Sequence, residues 1–177
     1  MSSSDIIESD DYVLEIDSNV IVTSSEEELE TIDILIFKVN DRELGFQNNG
    51  IYEILKPQKI TPVPFTEDFV LGLMNVRGEI ISCIDCGLFL FSEWIEIGEK
   101  SRIILIGNGE ITTGILVSSI IGIEQIQVGA MEKFSESGGG LIVEFIQWIM
   151  DTEERSLVVL AIDKIINSER LRSYEKR

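Results

Sequence analysis

A mainly β protein, built as a barrel or a sandwich, is the fold class this sequence predicts, and three observations predict it. Short runs rich in Ile, Val and Leu recur between Gly and Asn punctuation from Asp33 onward, a texture that suits strands better than helices. Asn108-Gly109, between Ile106 and Ile111, is a type I′ hairpin signal, and Asn40-Asp41, between Val39 and Leu44, is a weaker one. A hairpin of one length also occurs twice. Ile34 leads to Gly45 and then to Gly50-Ile51-Tyr52-Glu53-Ile54. Ile103 leads, at the same separation, to Gly114 and then to Gly122-Ile123-Glu124-Gln125-Ile126. The repeat hints at two related β-modules.

Taken in order, residues 1–32 read as a tail. They carry ten acidic side chains and no Lys or Arg, the composition of a solvated extension. Two short apolar stretches, Tyr12 to Ile16 and Val20 to Val22, leave open a strand that adds to a sheet edge or contacts a partner. Residues 33–177 are the expected folded domain. Its strands are expected at Ile34 to Val39, Phe69 to Val76, Ile80 to Ile84, Ile103 to Ile106, Ile115 to Ile123, Ile142 to Ile149 and Leu157 to Ile162. Gly138-Gly139-Gly140 lacks the Lys and the spacing of a phosphate-binding loop and reads as a flexible connection. One helix is expected from about Asp163 to Leu171, where Ile162, Ile165 and Ile166 fall close to one face.

Composition narrows the function. A chain of 177 residues with 44% hydrophobic content has material for one core or two fused small ones. The net charge of −18, of which residues 33–177 hold −8, repels nucleic acid and anionic membranes. No run of 18 apolar residues and no basic, apolar leader occurs, so a cytoplasmic location is the default expectation. Histidine is absent, which removes the commonest general base and metal ligand and disfavours an enzyme. Cys83 and Cys86 form a lone C-x-x-C. A zinc site needs about four ligands, and a redox pair would have to open a helix, whereas this motif closes the run Ile80 to Ile84. Two reduced, core or half-buried thiols are expected, with no metal and no cofactor. Asp85, Glu79, Glu124 and Glu144 could serve acid–base chemistry, but nothing in the sequence places any two together.

The informative segment runs Gly72-Leu73-Met74-Asn75-Val76-Arg77-Gly78, with Ile84-Asp85 following. It resembles the G-x-x-N-hydrophobic-R-G signature of the chemotaxis coupling proteins, the CheW-like family. Ile34 to Gly45 resembles that family's opening hairpin, Ile51 to Ile54 its hydrophobic-x-Glu-Ile, and Arg102 to Ile126 its second hairpin and following strand. Glu144 to Ile146 and Arg155 to Asn167 resemble its closing strands and helix. Ser82-Cys83 stands where the family usually carries Pro-Val.

The resemblance implies two SH3-like five-stranded β-barrels sharing a hydrophobic core, with a C-terminal helix. It implies a non-catalytic scaffold that docks on the regulatory domain of a chemotaxis histidine kinase and grips the cytoplasmic tip of methyl-accepting chemoreceptors. It would sit at receptor arrays on the inner face of the membrane only through those partners. Carried over by position, Glu53 and Arg77 form an ion pair on the receptor-facing surface, Ile51 adds apolar contact, and Gly72 and Asn75 hold the local geometry. Ile60 and Thr61 fall on the kinase-facing edge. The alternatives are a coupling protein of another receptor-linked pathway, such as surface motility, and a small-ligand-binding β-barrel, which would need a cavity with convergent polar groups.

Overall fold

The computed structural model describes residues 30–134 and 140–175. Most of the acidic tail, with both of its apolar stretches, and Gly138-Gly139 lie outside those residues. In chain order the strands are β1 (Thr31–Val39), β2 (Arg42–Gln47), β3 (Ile51–Leu55), β4 (Val70–Val76), β5 (Glu79–Asp85), β6 (Arg102–Gly107), β7 (Thr112–Val117), β8 (Ser119–Gln127), β9 (Glu132–Lys133), β10 (Ile146–Asp151) and β11 (Ser156–Leu160). Among the described residues three α-helices accompany them: α1 (Cys86–Phe91), α2 (Ile162–Ile166) and α3 (Glu169–Glu175).

The strands form two sheets, ordered β8-β1-β2-β11-β10-β9 and β3-β6-β7-β5-β4. Apart from the two-residue β9, which makes one module six-stranded, the orders correspond position by position. Hairpin β1–β2 matches hairpin β6–β7; β11 lies parallel to β2 as β5 lies parallel to β7. These are the two SH3-like modules that the repeated hairpin and the resemblance anticipate. The strand after each hairpin leaves its own module. β3 pairs with β6, putting Ile51 opposite Ile106, and β8 pairs with β1, putting Ile123 opposite Leu35. The modules are therefore joined by exchanged strands.

The equal Ile-to-Gly spacing of the two hairpins has a packing cause. A Cβ on Gly45 would lie 2.6 Å from a methyl of Ile34, and one on Gly114 would lie 2.9 Å from a methyl of Ile103. Each hairpin curls so tightly that the isoleucine of one strand occupies the space a side chain on the other would need. Strand β1 is apolar on both faces. Leu35, Phe37 and Val39 join the main core with Ile103, Leu105 and Leu116 of the other sheet, while Ile34 and Ile36 face a smaller core with Leu157 and Val159. The main core carries an aromatic chain in which Phe69 meets Phe89, and Phe89 meets Phe145, at 5.1 Å. Arg170 of α3 lies over Phe69 and Phe89 at 5.0 and 4.7 Å and donates to the Phe89 carbonyl, a cation–π seat that docks the C-terminal helix.

Several local expectations change. Strand β1 starts at Thr31, and Ile32 packs on the smaller core, so the folded unit takes in two residues that composition places in the tail. The β6–β7 turn is not type I′, because only Gly109 has positive φ and type I′ needs it at both central residues. The run Ile115 to Ile123 is two strands broken at Ser118, and Ile142 to Ile149 opens with a 3₁₀ turn at Val143–Phe145. The C-terminal helix is two helices, α2 and α3. Helix α1 lies outside the sequence expectation altogether, since Cys86-Gly87-Leu88-Phe89-Leu90-Phe91 has no polar face to reveal a helical period. The C-x-x-C motif therefore bridges a strand end and a helix start rather than lying wholly at the end of a strand.

Candidate functional site

Strands β4 and β5 are joined by the two-residue turn Arg77-Gly78, with φ of 55° and 95°. Positive φ at both positions is the type I′ pattern, for which Asn-Gly is the favoured sequence. An L-residue other than Asn or Asp in this region costs about 1–2 kcal/mol, so Arg77 is locally disfavoured in its own turn. Asn75 supports the turn by accepting the Gly78 N–H at 3.0 Å. Arg77 Nη2 donates to Glu53 Oε1 at 2.8 Å. Its side chain is 79% exposed and that of Glu53 30%, so the pair contributes only about 0–1 kcal/mol to stability. Glu53 lies on β3 and Arg77 beside β4, the two outermost strands of the five-stranded sheet. Their contact spans the two edges of this sheet through long side chains, without backbone pairing between β3 and β4. Ile51, half-buried on β3, packs against the main core.

Gly72 sits at a register shift in β4 with φ of 135°. A Cβ there would lie 2.1 Å from the Thr61 carbonyl oxygen. Only glycine admits that approach, and it lets Thr61 exchange two backbone hydrogen bonds with Leu73, at 2.8 and 2.9 Å. Gly72, expected on one partner surface, thus positions Thr61, expected on the other. A surface cleft of ≈ 540 Å³ is lined by Gln58, Lys59, Thr61, Leu73, Asn75 and Ile80, and Ile80 is 64% exposed. Ile60 is half-buried and packs on the main core. Of the residues singled out from sequence, the structure brings Arg77 against Glu53, Asn75 against the Arg77-Gly78 turn and Gly72 against Thr61, whereas Ile51 and Ile60 pack on the main core.

Two of the carboxylates raised from sequence, Asp85 and Glu124, have structural partners. Asp85, fully buried, caps α1: its Oδ1 accepts the Leu88 N–H at 3.0 Å and its Oδ2 the Ile95 N–H at 3.1 Å. Burial raises its pKa above the ordinary 3.8, against the pull of these bonds. Burial also pushes the Cys83 thiol up to about 12 and the Cys86 thiol higher still. Both cysteines are free and buried, so neither supplies thiolate near neutrality. Glu124 belongs to a clamp that sequence reading missed. Arg155, in the β10–β11 turn, donates to Glu43 at 2.8 Å and to Glu124 at 2.7 Å. Burial lowers the Arg155 pKa, but the bonds to the two glutamates outweigh it and raise it. In each module, then, an arginine from a hairpin turn holds a glutamate on the exchanged strand.

A CheW-like domain model matches residues 33–170. Among curated relatives, "Chemotaxis protein CheW" of Thermotoga maritima is 29% identical over 144 residues, covering 78% of this chain and 89% of that protein. "Protein FrzA" of Myxococcus xanthus is 24% identical over 146 residues, covering 81% and 91%. Among solved structures, the scaffolding protein TtCheW from Thermoanaerobacter tengcongensis superimposes with a TM-score of 0.71 at 20% identity, covering 80% of this chain and 96% of that one. That last likeness is one of fold.

Proposed function

Because the chain belongs to the CheW-like domain family, we propose that it is a non-catalytic coupling protein that ties chemoreceptors to a chemotaxis histidine kinase. In this reading the Arg77–Glu53 end, with Ile51 and Asn75, grips the helical cytoplasmic tip of a methyl-accepting chemoreceptor. The edge carrying Ile60 and Thr61 docks on the kinase's regulatory domain, and Gly72 sets the spacing between the two. The working unit is the two-barrel body that follows the acidic leading residues. Among the described residues no helix is long and apolar enough to cross a membrane; the protein works in the cytoplasm and reaches the array through its partners.

The observation that carries this reading is the choice of Arg77 for a turn that favours Asn. A residue that strains its own backbone, contributes little to stability and is four-fifths exposed is better explained by a partner than by folding. Its bond to Glu53 orients the guanidinium, and Ile80 beside it offers an apolar neighbour, the charged and apolar mixture of a protein interface. The test is reconstitution with the kinase and a receptor fragment. Arg77→Glu is expected to abolish receptor-dependent kinase activation while changing stability in urea by no more than about 1 kcal/mol. Activation equal to that of the parent chain would refute the assignment. The likeness to Protein FrzA, named apart from the chemotaxis proteins, supports a second reading in which the same surfaces serve another receptor-linked pathway, such as surface motility.

A further inference from the structure

The connection from α1 to β6 presents apolar side chains that neither the fold nor the surface around Arg77 uses. Trp94 is 64% exposed and Ile97 55% exposed, while Ile95 between them is buried. The backbone here has no helix or strand of its own, yet it is held from several directions. The Ile95 N–H donates to buried Asp85, and the Glu93 N–H donates to the Gly87 carbonyl at 3.2 Å. Asn40 Nδ2, from the β1–β2 turn, donates to the Trp94 carbonyl at 3.3 Å. Arg42, on β2, makes paired bonds of 2.7 and 2.9 Å to the Glu93 carboxylate and lies 4.5 Å from the centre of the Phe91 ring. The Arg42 hydrogen bond holds the Glu93 carboxyl below its ordinary pKa. Both sheets thus brace a short segment whose outward tryptophan buries little.

A large aromatic on a pre-positioned backbone is the usual anchor of a protein interface, because little ordering cost remains to be met on binding. Charge decides what can cover it. Around the exposed pair Trp94 and Ile97 stand Glu93, which Arg42 neutralises, and Glu96 and Glu99, with Lys100 following, so Glu96 and Glu99 are the acidic groups left to meet a partner. A second copy of a chain with net charge −18, its own acidic residues 1–32, or an anionic lipid surface would all be repelled. A protein cleft that is apolar at its centre and rimmed by Lys and Arg fits. Position decides which partner. Trp94 follows the Asp85 end of β5, and the Arg77 turn is at the other end of this seven-residue strand, roughly 20 Å away. A receptor seated at Arg77 leaves Trp94 open.

We propose that Trp94, with Ile97 beside it and Glu96 and Glu99 around it, is an anchor for the regulatory domain of the kinase, seating in an apolar cleft with a basic rim. This rests on the coupling reading above and adds a surface to it. The test uses the full chain with the purified regulatory domain and a receptor-tip fragment as separate probes. Trp94→Ala removes an exposed side chain, so its unfolding transition should match the parent's, and its affinity for the regulatory domain should fall at least tenfold while receptor-fragment binding holds. Trp148→Phe leaves Trp94 as the sole tryptophan, and its emission should shift to the blue with the regulatory domain and stay put with the receptor fragment. Glu96→Gln combined with Glu99→Gln should slow association and flatten its salt dependence. Kinase-domain affinity within twofold of the parent for Trp94→Ala, or unmoved Trp94 emission in a saturated complex, overturns the anchor and leaves the coupling reading standing. A parent chain that binds neither probe overturns both.

Discussion

Both oxygens of Asp85 are engaged by backbone N–H groups, one at the start of α1 and one at Ile95. Asp85→Ala strands two buried donors and should cost about 1–3 kcal/mol in urea unfolding; an unchanged midpoint would contradict the capping role. The sign of its pH dependence follows from burial. The folded pKa is raised above 3.8, so the folded state holds the proton more tightly than the unfolded chain. The contribution of Asp85 to stability is therefore greatest below pH 3.8 and declines as pH rises through the folded value. Asp85→Asn should flatten that slope, which unfolding midpoints measured from pH 3.8 up to neutrality would show. Asp85 is visible in the sequence as a carboxylate behind an apolar run, but not as a cap, because the helix it opens is buried and lacks amphipathic period. That Arg77 pairs with Glu53 in particular is legible only through the family resemblance. Composition alone cannot tell a paired arginine from an ordinary turn residue, and the strain at Arg77 is a property of φ. Trp94 gives no sequence signal beyond its type, since its exposure depends on bonds from Asn40 and Arg42.

The hairpins show where local patterning sufficed. Short apolar runs and turn residues locate most strands to within a few positions, because both act between near neighbours. The matched spacing of Ile34 to Gly45 and of Ile103 to Gly114 points to repeated modules before either has a shape. The structure supplies the reason, a methyl packed where a Cβ would stand. Gly45→Ala and Gly114→Ala should each destabilise by about 1–3 kcal/mol through overpacking. Gly98→Ala, where an added Cβ meets nothing within 4 Å, should change stability by less than about 0.5 kcal/mol. Thermal melts of the three variants check this, and equal losses at all three would count against the packing account. Helix α1 escapes the pattern because an apolar run without a polar face carries no period, whereas the break at Ser118 and the 3₁₀ turn at Val143–Phe145 fall inside runs that apolar content joins into single strands.

Exchange of β3 and β8 makes each sheet depend on the other's hairpin, and the main core draws side chains from both. Unfolding should therefore be a single transition. Trp148 lies on β10 of the six-stranded sheet, and Trp94 lies beyond α1 on the segment that both sheets hold, so the two report on different places in the molecule. The two single-tryptophan variants, Trp94→Phe and Trp148→Phe, should give urea curves coincident with each other and with circular dichroism; separated midpoints would mean that parts of the molecule unfold independently. From the amino-acid order alone came the β class, the two-module repeat, the acidic leading segment and the absence of histidine chemistry, all of which follow from composition or from interactions along a few residues. Tertiary contact alone settled which hairpin each following strand joins, and that Gly72 makes room for Thr61. It also settled that Arg155 reaches Glu43 across 112 positions and that Asn40 reaches Trp94 across 54. Those outcomes depend on how two curled sheets fill one core, and no window of neighbouring residues contains that information.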